Sequence, residues 1–482
     1  MNLKIVLRSL GILLICEAIA LLPPTLVAFL YQDGDLPAFL ITISIVLAVG
    51  ATLSFIKPTS KNIYARDGFA IVAMGWLLMS FFGAFPFYIS GAFPSFIDSF
   101  FESSSGLTTT GSSVLTAVEG LPHGILFWRS FTHWIGGMGI LVLTIAILPS
   151  LGAGSMQIMK AESPGPIVGR IVPKLGKTAK ILYSIYLGIT LVEVLLLCLA
   201  GMNVFDAFIH ALGTVGTGGF SNMNASVGYY NSALIDWIIT IFMIVCGVNF
   251  SLYYLIFKGN MKTFFKNNEL RVYLCILLGA ILLITFDLLA RNTYGSFGEA
   301  LRFSSFQAAS VMTTTGYATT DFNEWSMFSK MILLILMFVG GCAGSTAGGL
   351  KVARAIICFK SIKHSLKQIV HPNGYYSVRM DGKKIDDKTV LSVLNYFFIY
   401  MIIFTIGIII ISLDGFDFTT TLTSVITTLN NIGPGLGLVG PTGNFSAFSD
   451  VSKLVFSILM IIGRLEIYPI LLLLTPDLWK KN

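Results

Sequence analysis

Apolar runs long enough to cross a bilayer recur along almost the whole sequence, near 8–30, 36–56, 69–90, 124–149, 181–201, 233–257, 272–290, 328–360, 390–412 and 452–475. A helix needs roughly 20 such residues to span the hydrocarbon core, so these runs predict ten crossings. Only 11% of the 482 residues are charged, against about 25% in an ordinary soluble domain. A chain so poor in charge cannot clothe a water-facing surface of this size. That excludes a soluble enzyme, and it excludes a nucleic-acid-binding module despite the net charge of +7. Lys4 and Arg8 ahead of an apolar run also fit a signal peptide. Pro23-Pro24 and a second run soon after favour an uncleaved first span. The six cysteines have no metal-ligand spacing, so neither a zinc site nor disulfides are expected.

The placement of the basic residues gives an orientation. With the N-terminus in the cytoplasm and one crossing per long run, the cytoplasmic segments hold 25 of the 31 lysines and arginines, including Lys480-Lys481. This asymmetry is what the positive-inside rule demands, and it puts both termini in the cytoplasm. The six left over are Arg129, Arg291, Arg302, Lys330, Lys453 and Arg464.

Four shorter, more polar segments, near 95–107, 204–215, 298–312 and 417–429, are too short to cross. At membrane depth such segments persist only inside protein or beside a water-filled cavity, so they read as re-entrant helices on the outer side. Each precedes a glycine-containing polar stretch: TTTGSS (108–113), VGTGGF (215–220), TTTGYA (313–318) and NNIGPG (430–435). Alignment of these stretches puts Gly111, Gly218, Gly316 and Gly433 in register, about a hundred residues apart, the length of a whole supersecondary unit. Each unit reads span, re-entrant helix, loop, span, always in one orientation. The reading is therefore an all-α polytopic membrane protein. Residues 1–66 form an N-terminal hairpin, followed by pore repeats at 67–178, 179–270, 271–388 and 389–482.

Four such units can close a ring around one axis. A small monovalent cation stripped of water needs several oxygens, and rings of backbone carbonyls supply them. Glycine permits the backbone angles that aim successive carbonyls at one axis. The candidate ligands are Thr109, Thr110 and Gly111; Thr217 and Gly218; Thr314, Thr315 and Gly316; and Asn431, Ile432 and Gly433. The re-entrant helices would point their negative ends at the centre, with Asp98, Asp206, Glu299 and Asp417 at or near their N-termini. A single threonine-glycine run commonly marks helix packing; four in register are harder to explain that way.

Two features lie on the inner side of these loops. The run 328–360 contains Gly340-Gly341-Cys342-Ala343-Gly344-Ser345-Thr346-Ala347-Gly348-Gly349, a poor helix in the middle of a span. Small residues also mark tight packing, but this run is longer and richer in glycine than packing requires. Arg464 lies midway along the last run, where a charge has to face a cavity or a partner such as Glu466. Two motifs mislead. GLGLVG (435–440) matches a dinucleotide fingerprint and GSTAGGLK (344–351) nearly spells a P-loop, yet no strand precedes either. The histidines and acids assemble no catalytic set, which argues against an intramembrane protease or any other enzyme. A proton- or sodium-coupled symporter with alternating access is the competing transport reading; such folds often use inverted repeats, whereas these are parallel.

The TTTG, TGGF, TTTGY and NNIGPGLG loops, the GGCAGSTAGG break and the late GRLEIYP segment together resemble the Trk/Ktr/HKT potassium transporter superfamily over nearly the whole chain. The N-terminal hairpin is similar to the Trk branch rather than the Ktr branch. The resemblance implies potassium as the transported ion, and in related plant transporters a serine at the position of Gly111 accompanies sodium transport. It implies a gate formed by Gly340, Gly341, Gly344, Ser345, Thr346, Gly348 and Gly349, and a positive barrier at Arg464. It also implies a homodimer in the bacterial inner membrane with a cytoplasmic TrkA-type regulatory subunit. A nucleotide, NAD or ATP, would act only through that subunit; no cofactor is expected in this chain, and no nucleic-acid partner.

Overall fold

The computed structural model describes residues 1–58, 64–139, 175–373 and 377–479. Among these, six helices are long and apolar enough to cross a membrane: Leu3–Tyr31, Leu36–Ser54, Ala65–Ile89, Thr178–Leu199, Asn268–Ala290 and Asp387–Asp414. The first two form the N-terminal hairpin, and each of the others opens one repeat. Pro23 and Pro24 sit where the first span restarts as Leu22–Tyr31, a place that requires no intrahelical N–H from them. The repeat-opening helices carry apolar stripes on their outside. Leu187, Leu191, Leu195 and Leu199, four residues apart, are all exposed, as a lipid-facing helix demands.

Burial is reversed in the four re-entrant helices, Phe96–Leu107, Val204–Gly216, Phe297–Met312 and Phe418–Asn430. Their second halves are buried almost without interruption, so these polar segments are shielded by the apolar spans around them. Their N-termini share one solution. Ser95, Asn203, Ser296 and Asp417 cap them, each accepting from the N–H three residues on. Asp98, Asp206 and Glu299 therefore lie in the first turn, where they complement the helix dipole without being the cap, and only Asp417 is itself the cap. Hydrogen bonds from Thr420 hold the Asp417 carboxyl below the usual carboxylate range.

The second spans of the second and fourth repeats are broken where continuous crossings were expected, and that of the third repeat is interrupted at its glycine-rich run, as its sequence suggests. The run 233–257 is two helices, Ala233–Cys246 and Phe250–Phe257, bent by 93° at the break. The run 328–360 is Met327–Val339, a non-helical stretch, then Val352–Val370. The run 452–475 is Asp450–Arg464, a break, then Tyr468–Leu473. In the first repeat the helix is His123–Gly137; its expected continuation to 149 lies outside the described residues, as do Lys61, the basic residues from 160 to 174 and Lys480-Lys481. Hydropathy misses the breaks in 233–257 and 452–475 because the residues around them are themselves apolar. The backbone leaves the helix at Gly340, whose φ of 71° glycine allows, and at Glu466 and Ile467 with φ of 56° and 72°, whereas Gly247 closes its helix at an ordinary φ of −71°.

The breaks meet one another. Cys342 N–H donates to Gly247 O at 2.9 Å, Phe250 N–H to Gly344 O at 3.0 Å, and Thr346 Oγ1 to Cys246 O at 3.2 Å. Backbone groups released by one broken helix are thus satisfied by another, the condition for leaving helix within a membrane. The one departure from an all-α fold among the described residues is a two-residue hairpin, Arg379–Met380 with Lys383–Lys384.

Candidate functional site

Each re-entrant helix runs into the same backbone turn. Thr109, Thr217, Thr314 and Asn431 take left-handed angles, with φ of 57°, 57°, 56° and 57°. The next residue returns its N–H to a carbonyl five residues back: Thr110 to Ser105, Gly218 to Gly213, Thr315 to Ser310 and Ile432 to Thr427, at 2.8–2.9 Å. A glycine with positive φ follows in every loop, Gly111 (80°), Gly219 (79°), Gly316 (84°) and Gly433 (98°). The register of the second loop is therefore one residue later than the motif alignment suggests. Gly219 is the equivalent of Gly111, and Gly218 corresponds to Thr110. Counting from the helix caps finds this: Ser95 to Thr109, Asn203 to Thr217 and Asp417 to Asn431 span equal lengths, while the third re-entrant helix is about one turn longer.

The four turns touch in a closed cycle. A Cβ on Gly111 would lie 1.9 Å from the Gly218 carbonyl oxygen, and one on Gly219 2.1 Å from that of Thr315. One on Gly316 would lie 2.2 Å from the oxygen of Ile432, and one on Gly433 2.9 Å from that of Thr110. Each glycine is needed twice over, for its φ and because the next loop's carbonyl takes the space of a side chain. On one side of the ring lies a cavity of about 140 Å³ that touches Gly111, Gly219, Gly316 and Gly433 together.

The other side is filled by the 340–349 segment and Arg464. Gly340, Gly344 and Gly349 have φ of 71°, 75° and 77°. Gly348 N–H donates to Thr314 Oγ1 at 2.6 Å, and a Cβ there would lie 2.4 Å from Asn430 O. Gly341 packs on Ala347, and Ser345 Oγ donates to Cys342 O at 2.6 Å. The Glu269 carboxylate accepts from Ala343 N–H at 2.6 Å and Ala353 N–H at 3.1 Å, tethering the segment to the first turn of the helix that follows it. Lys351 Nζ donates to Ala347 O.

Arg464 joins these parts. Its guanidinium donates to Thr109 Oγ1 (3.2 Å), Thr346 O (2.8 Å), Gly136 O (2.5 Å) and Gly137 O (2.6 Å). It thus ties the first loop, the glycine-rich segment and the C-terminus of helix His123–Gly137. A cation at helix C-termini is favoured by their dipoles. The Glu466 carboxylate, a candidate partner for Arg464, ion-pairs with Arg354.

The other basic residues outside the cytoplasmic clusters also have partners. Arg129 pairs with Glu102 at 2.8 Å, Lys453 with Asp98 at 2.7 Å, Arg302 with Asp236 at 3.4 Å and Arg291 with Asp287 at 2.9 Å, while Lys330 donates to Asn323 O at 3.1 Å. Two of these pairs bind one repeat to another: Lys453 of the fourth to Asp98 of the first, and Arg302 of the third to Asp236 of the second. Their partners are far apart in sequence, and only the surplus of six charges signalled that partners had to exist.

Polypeptide of this architecture is a membrane transport protein. The cation transport protein family TrkH matches residues 35–481, and the chain belongs to that family. It is 39% identical to the Trk system potassium uptake protein TrkH of Salmonella typhimurium, covering 100% of both chains. It is 35% identical to the Trk system potassium uptake protein TrkG of Escherichia coli, covering 99% of each. The crystal structure of the potassium transporter TrkH from Vibrio parahaemolyticus matches with a TM-score of 0.90 and 37% identity over 100% of both chains. Its family makes this chain a transporter and not an enzyme.

Proposed function

We propose that this chain takes up potassium across the bacterial inner membrane, and that the ion passes through the ring formed by the four loops. The observation that carries this reading is the cyclic contact of Gly111, Gly219, Gly316 and Gly433 with the carbonyls of Gly218, Thr315, Ile432 and Thr110. Four backbone carbonyls at one level, approached by the negative ends of four helices, make a site for a cation that has shed its water. Potassium is the ion named for the relatives, and Gly111 rather than serine in the first loop agrees with it.

The segment 340–349 and Arg464 form a closed gate in this reading. They fill the side of the ring opposite the cavity, and the guanidinium repels a cation leaving the ring. Opening requires the segment to let go of Thr314 and Arg464. The force would come from a cytoplasmic TrkA-type subunit that binds NAD or ATP, on a homodimer of this chain; the Trk-system name of the relatives supports a multi-component assembly. A rocking symporter is less well supported, since four units in one orientation around one axis need no exchange of halves.

The test is uptake of radioactive rubidium by liposomes holding the purified chain with its regulatory subunit. Uptake driven by the rubidium gradient alone supports a pore. Uptake only with an imposed proton or sodium gradient would replace it with coupled symport, and no uptake under either condition would overturn the assignment.

A further inference from the structure

The four loops are not braced alike. In the first loop Thr110 Oγ1 bonds Thr108 Oγ1 at 2.8 Å, and Thr108 in turn donates to Ser104 O at 2.6 Å. The third loop repeats this clasp with Thr315 and Thr313 at 2.8 Å, and Thr313 donates to Ala309 O at 2.7 Å. In the second loop the equivalent residues are Gly218 and Gly216, which have no side chains to form it. His133, from the helix of the first repeat, occupies the space. A Cβ on Gly218 would lie 2.2 Å from its Cγ, and a Cβ on Gly216 would lie 2.5 Å from its carbonyl oxygen.

The imidazole does more than fill volume. It is fully buried, and both nitrogens are used. Nδ1 lies 2.8 Å from Gly106 O, which can only accept, so Nδ1 carries the proton and donates. Nε2 then accepts from Phe220 N–H at 3.2 Å. The ring therefore binds the first re-entrant helix to the peptide that follows Gly219, one residue from the closed cycle. It also stacks near Phe220, with centroids 4.2 Å apart, while Arg129 covers that phenyl ring at 4.2 Å. The other imidazole nearby, His210, bonds Asp206 O and Ser221 Oγ instead.

We propose that His133 is a positioning residue of the conduction ring, replacing from a neighbouring repeat the threonine clasp that the second loop lacks. It sets the path of Gly218 to Phe220 and thereby the aim of the Gly218 carbonyl that meets Gly111. The inference rests on the ring being the ion-selective element.

The experiment measures rubidium uptake and its competition by sodium in liposomes holding the full chain and its partner subunit. His133→Gln offers a carboxamide oxygen to Phe220 N–H and an amide hydrogen to Gly106 O, so the preference for rubidium is expected to stay within about twofold of the parent. His133→Ala is expected to lower it about tenfold, the equivalent of about 1.4 kcal/mol. Gly218→Thr alone collides with the imidazole and is expected to lose preference similarly. Combining Gly218→Thr with His133→Ala gives the threonine the vacated space, and the double variant is expected to be more selective than either single one. Unchanged preference in folded His133→Ala, or a double variant no better than its parents, overturns the proposal. If His133→Ala fails to fold, His133→Gln and the double variant decide it by the same criteria. Gly316→Ala, which His133 does not touch, separates the two readings. Loss of preference there but not in the His133 variants rejects this inference alone, whereas no loss in either rejects the ring as the selective element.

Discussion

Gly111→Ser loads the ring at a single point. Gly111 has φ of 80°, where a side chain costs roughly 1–2 kcal/mol. Its Cβ would stand 1.9 Å from the Gly218 carbonyl oxygen, and side-chain carbons are not found closer than 3.0 Å, so that carbonyl has to withdraw by about 1.1 Å. A hydrogen bond to a charged group contributes about 1.5–3 kcal/mol, and we take loss of one carbonyl from a cation as comparable. That corresponds to a change in ion affinity of about tenfold to a hundredfold. We expect the preference for rubidium over sodium to fall at least tenfold, within that range, in competition assays on reconstituted protein. Gly120→Ser is the control: its φ is 94° but nothing lies within 4 Å of its Cβ position. It shares the backbone cost without the collision, and its preference should match the parent. A folded Gly111→Ser protein with parental preference would refute the reasoning, because the carbonyl would then be free to move without consequence for the ion.

Arg464→Ala should raise cation leak. At an effective dielectric constant of about 20, like unit charges roughly 4–8 Å apart repel by about 2–4 kcal/mol, so the expected gain is at least roughly thirtyfold in flux. Loss of folded protein with no gain in flux would assign Arg464 a purely structural role. Deleting residues 344–346 removes the Thr346 carbonyl held by Arg464 and should increase rubidium flux without the regulatory subunit; equal flux would count against the gate. Lys453→Met leaves Asp98 buried without its 2.7 Å partner, so thermal stability in detergent should drop by about 3–5 kcal/mol, largely restored by adding Asp98→Asn. At the tip of the N-terminal hairpin, the backbone N–H and side chain of His123 hold Asp33 below the usual carboxylate range. A lowered carboxyl stabilises above its unfolded value of about 3.9 and loses that contribution as pH falls through the folded value. The stability difference between parent and Asp33→Asn, under about 1 kcal/mol for so exposed a pair, should therefore vanish between pH 4 and pH 2. A difference that persists at pH 2 would exclude this origin.

Much of this was legible because membranes make few demands and enforce them strictly. Span positions, the bounds of the re-entrant helices and the special character of 340–349 all follow from where apolar and glycine-rich stretches fall. The second-loop register was not legible by motif, since VGTGGF offers two adjacent glycines and only φ and the neighbouring carbonyl distinguish them. The breaks in 233–257 and 452–475 were hidden for a related reason. An apolar run looks the same to a hydropathy count whether its backbone is helical or is satisfied by another chain segment.

By itself, the sequence determined that this protein lives in a bilayer, that it is built from four parallel units, and that each unit brings glycine to a polar loop. These are consequences of local chemistry: transfer of side chains to lipid, and the freedom of glycine at positive φ. Tertiary structure decided what the units do to one another. It chose Gly219 over Gly218, put His133 where the second loop has no side chain, and gave Arg464 four oxygens from three separate segments. It also matched Lys453 and Arg302 to acids in other repeats. Those outcomes depend on which buried donor reaches which buried acceptor, and that pairing exists only once the four units have closed around their axis.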